Sequence, residues 1–109
     1  MNTITIRVEI IPEKREEFLQ TIRSLHEQIK KERGFRGSDL FQDLDNHERF
    51  NLIQHWETQD DLDNHTRSEN FRILKGALKV LTEHSEIRYD LVSDQRGKKV
   101  LGSSLQEIS

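Results

Sequence analysis

The sequence predicts a single α+β domain with the order strand, helix, strand, strand, helix, strand. Ile4, Ile6, Val8 and Ile10 alternate with Thr3, Thr5, Arg7 and Glu9, the period-2 pattern of a strand with one buried face. Two helix-period stripes follow at Phe18, Ile22, Leu25 and Ile29 and at Phe71, Leu74, Leu78 and Leu81. Between them lie two β-compatible runs, and after the second comes a last alternating stretch, Ile87, Tyr89 and Leu91. A chain of 109 residues is sized for one domain, so all of these elements share one core.

The first helix is expected from about Glu13 to Arg33. Pro12 suits a first helical turn, and Glu13, Glu16 and Glu17 sit near the positive end of the helix dipole. Basic Lys30, Lys31 and Arg33 precede Gly34, which is the natural left-handed stop. The next strands are expected over Ser38 to Leu44 and Arg49 to Glu57, joined as a hairpin by Asp45, Asn46, His47 and Glu48. Thr58 followed by Asp61 resembles a capping box and should open a helical turn through Leu62 and His65; Ser68 can cap again before Phe71. Residues 1–92 form the domain in this reading. Residues 93–109, with Gly97, Gly102 and no sustained period, read as a tail that is flexible or docked on a partner subunit, with Val100, Leu101, Leu105 and Ile108 as its anchors.

Apolar residues make up 32% of the chain and charged residues 34%, little core for so much surface, which favours burial against a second copy. The 17 basic and 20 acidic residues are dispersed, without the basic stripe that neutralises phosphates, so nucleic acid is not an expected partner. The absence of cysteine excludes disulfides, thiolate metal sites and a cysteine nucleophile. No segment approaches the roughly 20 apolar residues of a membrane span, and the N-terminus alternates instead of forming a leader, so a cytoplasmic protein is expected.

The twice-repeated β-α-β half is the ferredoxin-like plan, an antiparallel four-stranded sheet with two helices on one side. The apolar strand residues then lie under the helices, leaving Arg7, Glu9, Asn51, His55, Glu57, Arg88 and Asp90 on the other face. Two such sheets meeting face to face would make a dimeric α+β barrel with opposite charges paired inside it.

From Glu32 to Phe71 the sequence resembles the antibiotic biosynthesis monooxygenase domain family of dimeric α+β barrels. The resemblance rests on Gly34-Phe35-Arg36-Gly37, Leu40-Phe41-Gln42-Asp43, the spacing Phe50-x-Leu-x-x-x-Trp56, and Leu62-Asp63-Asn64-His65-x-x-Ser68-x-x-Phe71. With the element order it extends over about residues 3 to 92. It implies a cofactor-independent monooxygenase acting on a small aromatic, phenolic or quinol-like substrate, with an apolar pocket, a base and donors for a developing oxyanion. A dimeric ligand-binding or regulatory module of the same fold is the alternative. A haem-binding or haem-degrading protein is a second, but the iron-ligating position of that branch falls near Lys75, and an ammonium group has no lone pair for iron.

The same resemblance places His65 and Trp56 at the edge of a pocket between sheet and helices, with Asn51 as a further catalytic candidate. Tyr89, Phe71, Leu62 and Ser68 are the expected substrate-binding residues. Each has a structural reading beside the functional one. His65 can equally make a fixed hydrogen bond at the start of the second helical segment. Trp56, in phase with Phe50 and Leu52, reads first as a core aromatic whose indole N–H needs a partner, and Tyr89 reads the same way. A His65 that faces a cavity beside Trp56 favours the enzyme; a filled space favours binding or scaffolding. His26 reads as a flank residue of the first stripe, and His47 and His84 as exposed. With no histidine pair at i, i+4 and no thiolate, no metal site is expected.

Overall fold

The computed structural model describes residues 2–90. Strand β1 spans Asn2–Ile10, helix α1 Arg15–Ile29, β2 Phe35–Gln42, β3 Arg49–Trp56, α2 Gln59–Thr66, α3 Glu69–Leu81 and β4 Thr82–Asp90. The sheet order is β2-β3-β1-β4 with every neighbouring pair antiparallel, which is the ferredoxin-like arrangement. The tail and its proposed anchors lie outside the described residues, as do Leu91 and Val92. Among the described residues no helix is long and apolar enough to cross a membrane.

Several boundaries differ from those expected. Pro12–Lys14 forms a single 3-10 turn and α1 proper begins at Arg15. The helix ends at Ile29, short of Arg33, because the chain tightens into turns: the Lys31 amide donates to Gln28 O and the Glu32 amide to Ile29 O. Gly34, at φ +85°, then reverses the chain into β2, which starts at Phe35. At its other end β2 stops at Gln42, so Asp43 and Leu44 belong to the hairpin loop. There Asp43 Oδ1 accepts from the amides of Asp45 and Asn46, and Asn46 Oδ1 accepts from the amide of Glu48, side-chain turns that compete successfully with the ladder. Strand β3 ends at Trp56, one residue before Glu57. Strand β4 begins at Thr82, well before Ile87: it leaves α3 without a linker and pairs back along β1 as far as Ile10, across a register shift.

The alternation holds on the covered face. Ile4, Ile6, Val8, Ile10, Phe50, Leu52 and Trp56 are all buried and form one core with Phe18, Leu25 and Ile29 of α1, Leu62 of α2, and Phe71, Leu74, Leu78 and Leu81 of α3. Each such side chain contributes about 1.5–3 kcal/mol by leaving water, which makes this layer the main source of stability. Register assigns Thr3, Thr5, Arg7, Glu9, Arg49, Asn51, Ile53, His55, Asp39, Phe41, Glu86, Arg88 and Asp90 to the opposite face. Glu57 lies just past β3 and pairs with Arg36. On this second face Arg49 bridges Glu9 and Asp43, His55 lies near Asp39, and Arg88 pairs with Asp90.

Candidate functional site

An apolar recess opens between α1 and the β2/β3 edge of the sheet, with a volume of about 550 Å³. The β2/β3 register puts Ser38 opposite Gln54 and Leu40 opposite Leu52, so four side chains form a block on the covered face. Ile22, Leu25, His26 and Ile29 follow one another at helical spacing on α1 and roof that block, with Leu74 of α3 closing the inner end. Leu40 is still 39% exposed, so the recess opens to solvent along the sheet edge.

Exposed Gln20, Arg23, Ser24 and Glu27 of α1 line its outer side, and the less exposed polar groups are His26, Ser38 and Gln54. His26 Nδ1 lies 3.1 Å from Ser38 Oγ, and the imidazole meets the Phe35 ring edge-on at 5.8 Å. If Nδ1–H donates to Ser38, Nε2 keeps its lone pair for an incoming proton. Gln54 is only 3% exposed, and its Oε1 is buried without a hydrogen-bond partner. An acceptor left in that condition costs about 1–3 kcal/mol, a burden a purely structural position would have little reason to carry. Together these groups make an apolar slot with a hydrogen-bonding patch on the sheet side, suited to a flat, mostly apolar ligand with one polar edge.

The expected site residues fall elsewhere, in two groups. His65, Trp56, Phe71 and Leu62 do come together, but as packed core. The His65 ring lies stacked on Trp56, with centroids 4.4 Å apart, and meets Phe71 edge-on at 5.2 Å; its exposure is 0%. Its Nδ1 hydrogen-bonds Glu32 Oε1 at 2.9 Å, and Glu32 Oε2 accepts from Asn70 Nδ2 at 2.7 Å, so Glu32 ties the turn after α1 to α2 and α3. Burial lowers its pKa, against the raising pull of Glu32. His65 does not line the recess, and the space beside Trp56 is filled by rings: the pocket sits under α1 instead of under the second helix. Ser68 caps α3 by accepting from the Phe71 amide, and Leu62 is a buried core residue.

Asn51 and Tyr89 are not brought to His65 or to the recess. Asn51 pairs with Arg7 and Phe41 on the uncovered face, because strand alternation puts it one step out of phase with Leu52. Tyr89 shares the covered face with Ile4, but β4 is the edge opposite β2, and the phenol is 44% exposed there; partial burial raises its pKa. Sequence reasoning missed His26, Ser38 and Gln54. The available signal for His26 was its position four residues after Ile22 and three before Ile29, inside the stripe. Nothing in the spacing links Ser38 to Gln54.

A second cluster lies at the Gly34 turn. Asp61, buried, accepts from Arg33 Nε at 3.0 Å, while its amide donates to Thr58 Oγ1 at 3.0 Å. The hydrogen bond from Arg33, with that from Thr58, holds the Asp61 carboxyl below its ordinary range. Among the described residues no group of three or more His, Cys, Asp or Glu side chains is arranged to hold a metal ion. Lys75 holds its ammonium over the Phe71 ring at 5.4 Å, and an ammonium group has no lone pair to offer iron at that position.

Residues 1–75 match the family model described as antibiotic biosynthesis monooxygenase. No match was found among the curated proteins. Among solved structures, a conserved protein from Methanosarcina mazei superposes with a TM-score of 0.75 at 27% identity, covering 83% of this chain and 90% of that one. A structure described as antibiotic biosynthesis monooxygenase gives a TM-score of 0.73 at 23% identity, covering 86% of this chain and 100% of the other. A Mycobacterium tuberculosis protein gives 0.74 at 17% identity, covering 85% and 95%. The last two likenesses concern the fold alone. With the element order, the sheet topology and the match over most of the described residues in agreement, the chain belongs to the antibiotic biosynthesis monooxygenase family.

Proposed function

We propose that this chain is a cofactor-independent monooxygenase that binds a small phenolic or quinol-like aromatic in the recess under α1 and works as a homodimer. The observation that carries the reading is the recess itself: a slot of about 550 Å³ walled by Leu25, Leu40, Leu52 and Leu74, with His26, Ser38 and Gln54 set into it. In this scheme His26 Nε2 takes the proton of the aromatic hydroxyl, while Ser38 orients the ring through Nδ1. The resulting electron-rich anion transfers electrons to dioxygen, the only co-substrate required. At a ring C–H conjugated with the hydroxyl, one oxygen atom becomes the new carbonyl oxygen and the other leaves as water with the ring hydrogen and the hydroxyl proton held by His26, giving a quinone.

Oxygen uptake against a panel of quinols, hydroxyanthracenes and related phenols tests the assignment. Turnover by the unmodified protein and its loss by about a hundredfold or more in His26→Ala are expected. Full turnover in folded His26→Ala would remove His26 as base.

A second reading, a dimeric ligand-binding module without catalysis, draws support from the sealed position of His65. Saturable binding of the same aromatics without any oxygen uptake would select it.

A further inference from the structure

The cleft holds one buried polar side chain whose hydrogen bonding is incomplete. Gln54 is 3% exposed on the covered face of β3, flanked in register by Ser38 and Ile4, and its Oε1 has no partner. The hydroxyl of Ser38 and the imidazole of His26 already hold one another. Besides His26 Nε2, the Gln54 carbonyl is therefore the acceptor of the recess left for a donor from outside.

We propose that Gln54 is the specificity-determining residue of the recess, selecting ligands that present a hydroxyl donor over those that carry only a carbonyl or an ether at the same place. This rests on the reading of the recess as a ligand site. The logic is asymmetric. With Oε1 toward the ligand an O–H satisfies it directly, whereas an ether or quinone oxygen must first turn the amide over to meet Nε2–H, which moves Oε1 to where the donor was. Sites built to bond a hydroxyl reject analogues lacking it far more strongly than apolar pockets reject a missing methylene. Leu40, Leu52 and Leu74 supply affinity without preference, so discrimination falls to the amide. For the proposed reaction the consequence is directional: the reduced, hydroxyl-bearing substrate is held, and the oxidised carbonyl product is released.

The test compares 1-naphthol, 1-methoxynaphthalene and 1,4-naphthoquinone by isothermal calorimetry on the full chain, unmodified and as Gln54→Met. The unmodified protein is expected to prefer 1-naphthol by about tenfold or more, and Gln54→Met to bring the three within about threefold. Gln54→Met should melt no lower than the unmodified protein, because it removes an unsatisfied acceptor. Should that variant fail to fold, the Gln54 side-chain amide signal in nuclear magnetic resonance of the unmodified protein decides. It is expected to move with 1-naphthol and to stay in place with 1-methoxynaphthalene; equal shifts would overturn the proposal. Equal affinities in the unmodified protein, tighter binding of the ether or quinone, or an unchanged ratio in Gln54→Met would also overturn it, leaving the recess as a ligand site. If none of the three compounds binds, the recess reading itself fails.

Discussion

The imidazole of His65 lies on the indole of Trp56, with ring centroids 4.4 Å apart and planes 26° from parallel. Glu32 holds the outer edge of the pair by its hydrogen bond to Nδ1, and Nε2 faces core without a partner. This stack acts as a post between the covered face of the sheet and α2. Its first consequence is a pH-dependent stability. Burial depresses the His65 pKa below its ordinary value of 6.5 in the folded state, so the unfolded chain binds protons more readily. The contribution of the neutral imidazole is complete above that ordinary value and is lost progressively as pH falls through and below it. Thermal unfolding from about pH 7 to about pH 5 should show a falling midpoint, with a shallower fall in His65→Phe. Parallel profiles would show that His65 is not the titrating group.

Gly34 should tolerate no side chain. Its φ of +85° is strained for any L residue, and an added Cβ would lie 2.2 Å from the Asp61 carboxylate. Gly34→Ala is expected to cost at least about 2 kcal/mol in urea unfolding, above the ordinary glycine-to-alanine penalty at a left-handed position. A change under half a kilocalorie, a value within the ordinary range for neutral surface substitutions, would show that the Arg33–Asp61 pair moves aside freely.

Thr58 closes the first turn of α2 through the Asp61 amide, and its side chain helps to keep the Asp61 carboxylate ionised. Thr58→Ala should lower stability by about 1 kcal/mol, and Thr58→Ser should restore most of it. The guanidinium midpoints of the two variants make the comparison.

The uncovered face of the sheet carries Phe41, 52% exposed, and Ile53 among paired charges. In the homodimer proposed above, these two side chains meet the partner sheet. Light scattering should give twice the 13.0 kDa of one chain, and Phe41→Asp with Ile53→Asp should shift the mass toward one chain without unfolding it. A single-chain mass for the unmodified protein at micromolar concentration would end the dimer proposal.

Periodicity was enough to assign the order of elements and the inward faces of β1, β3 and β4, and residue type marked the caps at Thr58 and Ser68. Those properties depend on side-chain spacing of two or 3.6 residues and on hydrogen bonds between near neighbours, which a linear chain displays directly. Even so, local competition hid some edges: Asp43 and Asn46 turned the end of an expected strand into loop, and the turns at Lys31 and Glu32 stopped α1 at Ile29. The site was decided by pairing across distance. Ser38 meets Gln54 only through the β2/β3 register, and His26 reaches Ser38 only when α1 lies across that edge. His65 was visible as a motif residue, yet the rings of Trp56 and Phe71 and the carboxylate of Glu32 decide that it is sealed, because burial belongs to the packed layer and not to any position along the chain.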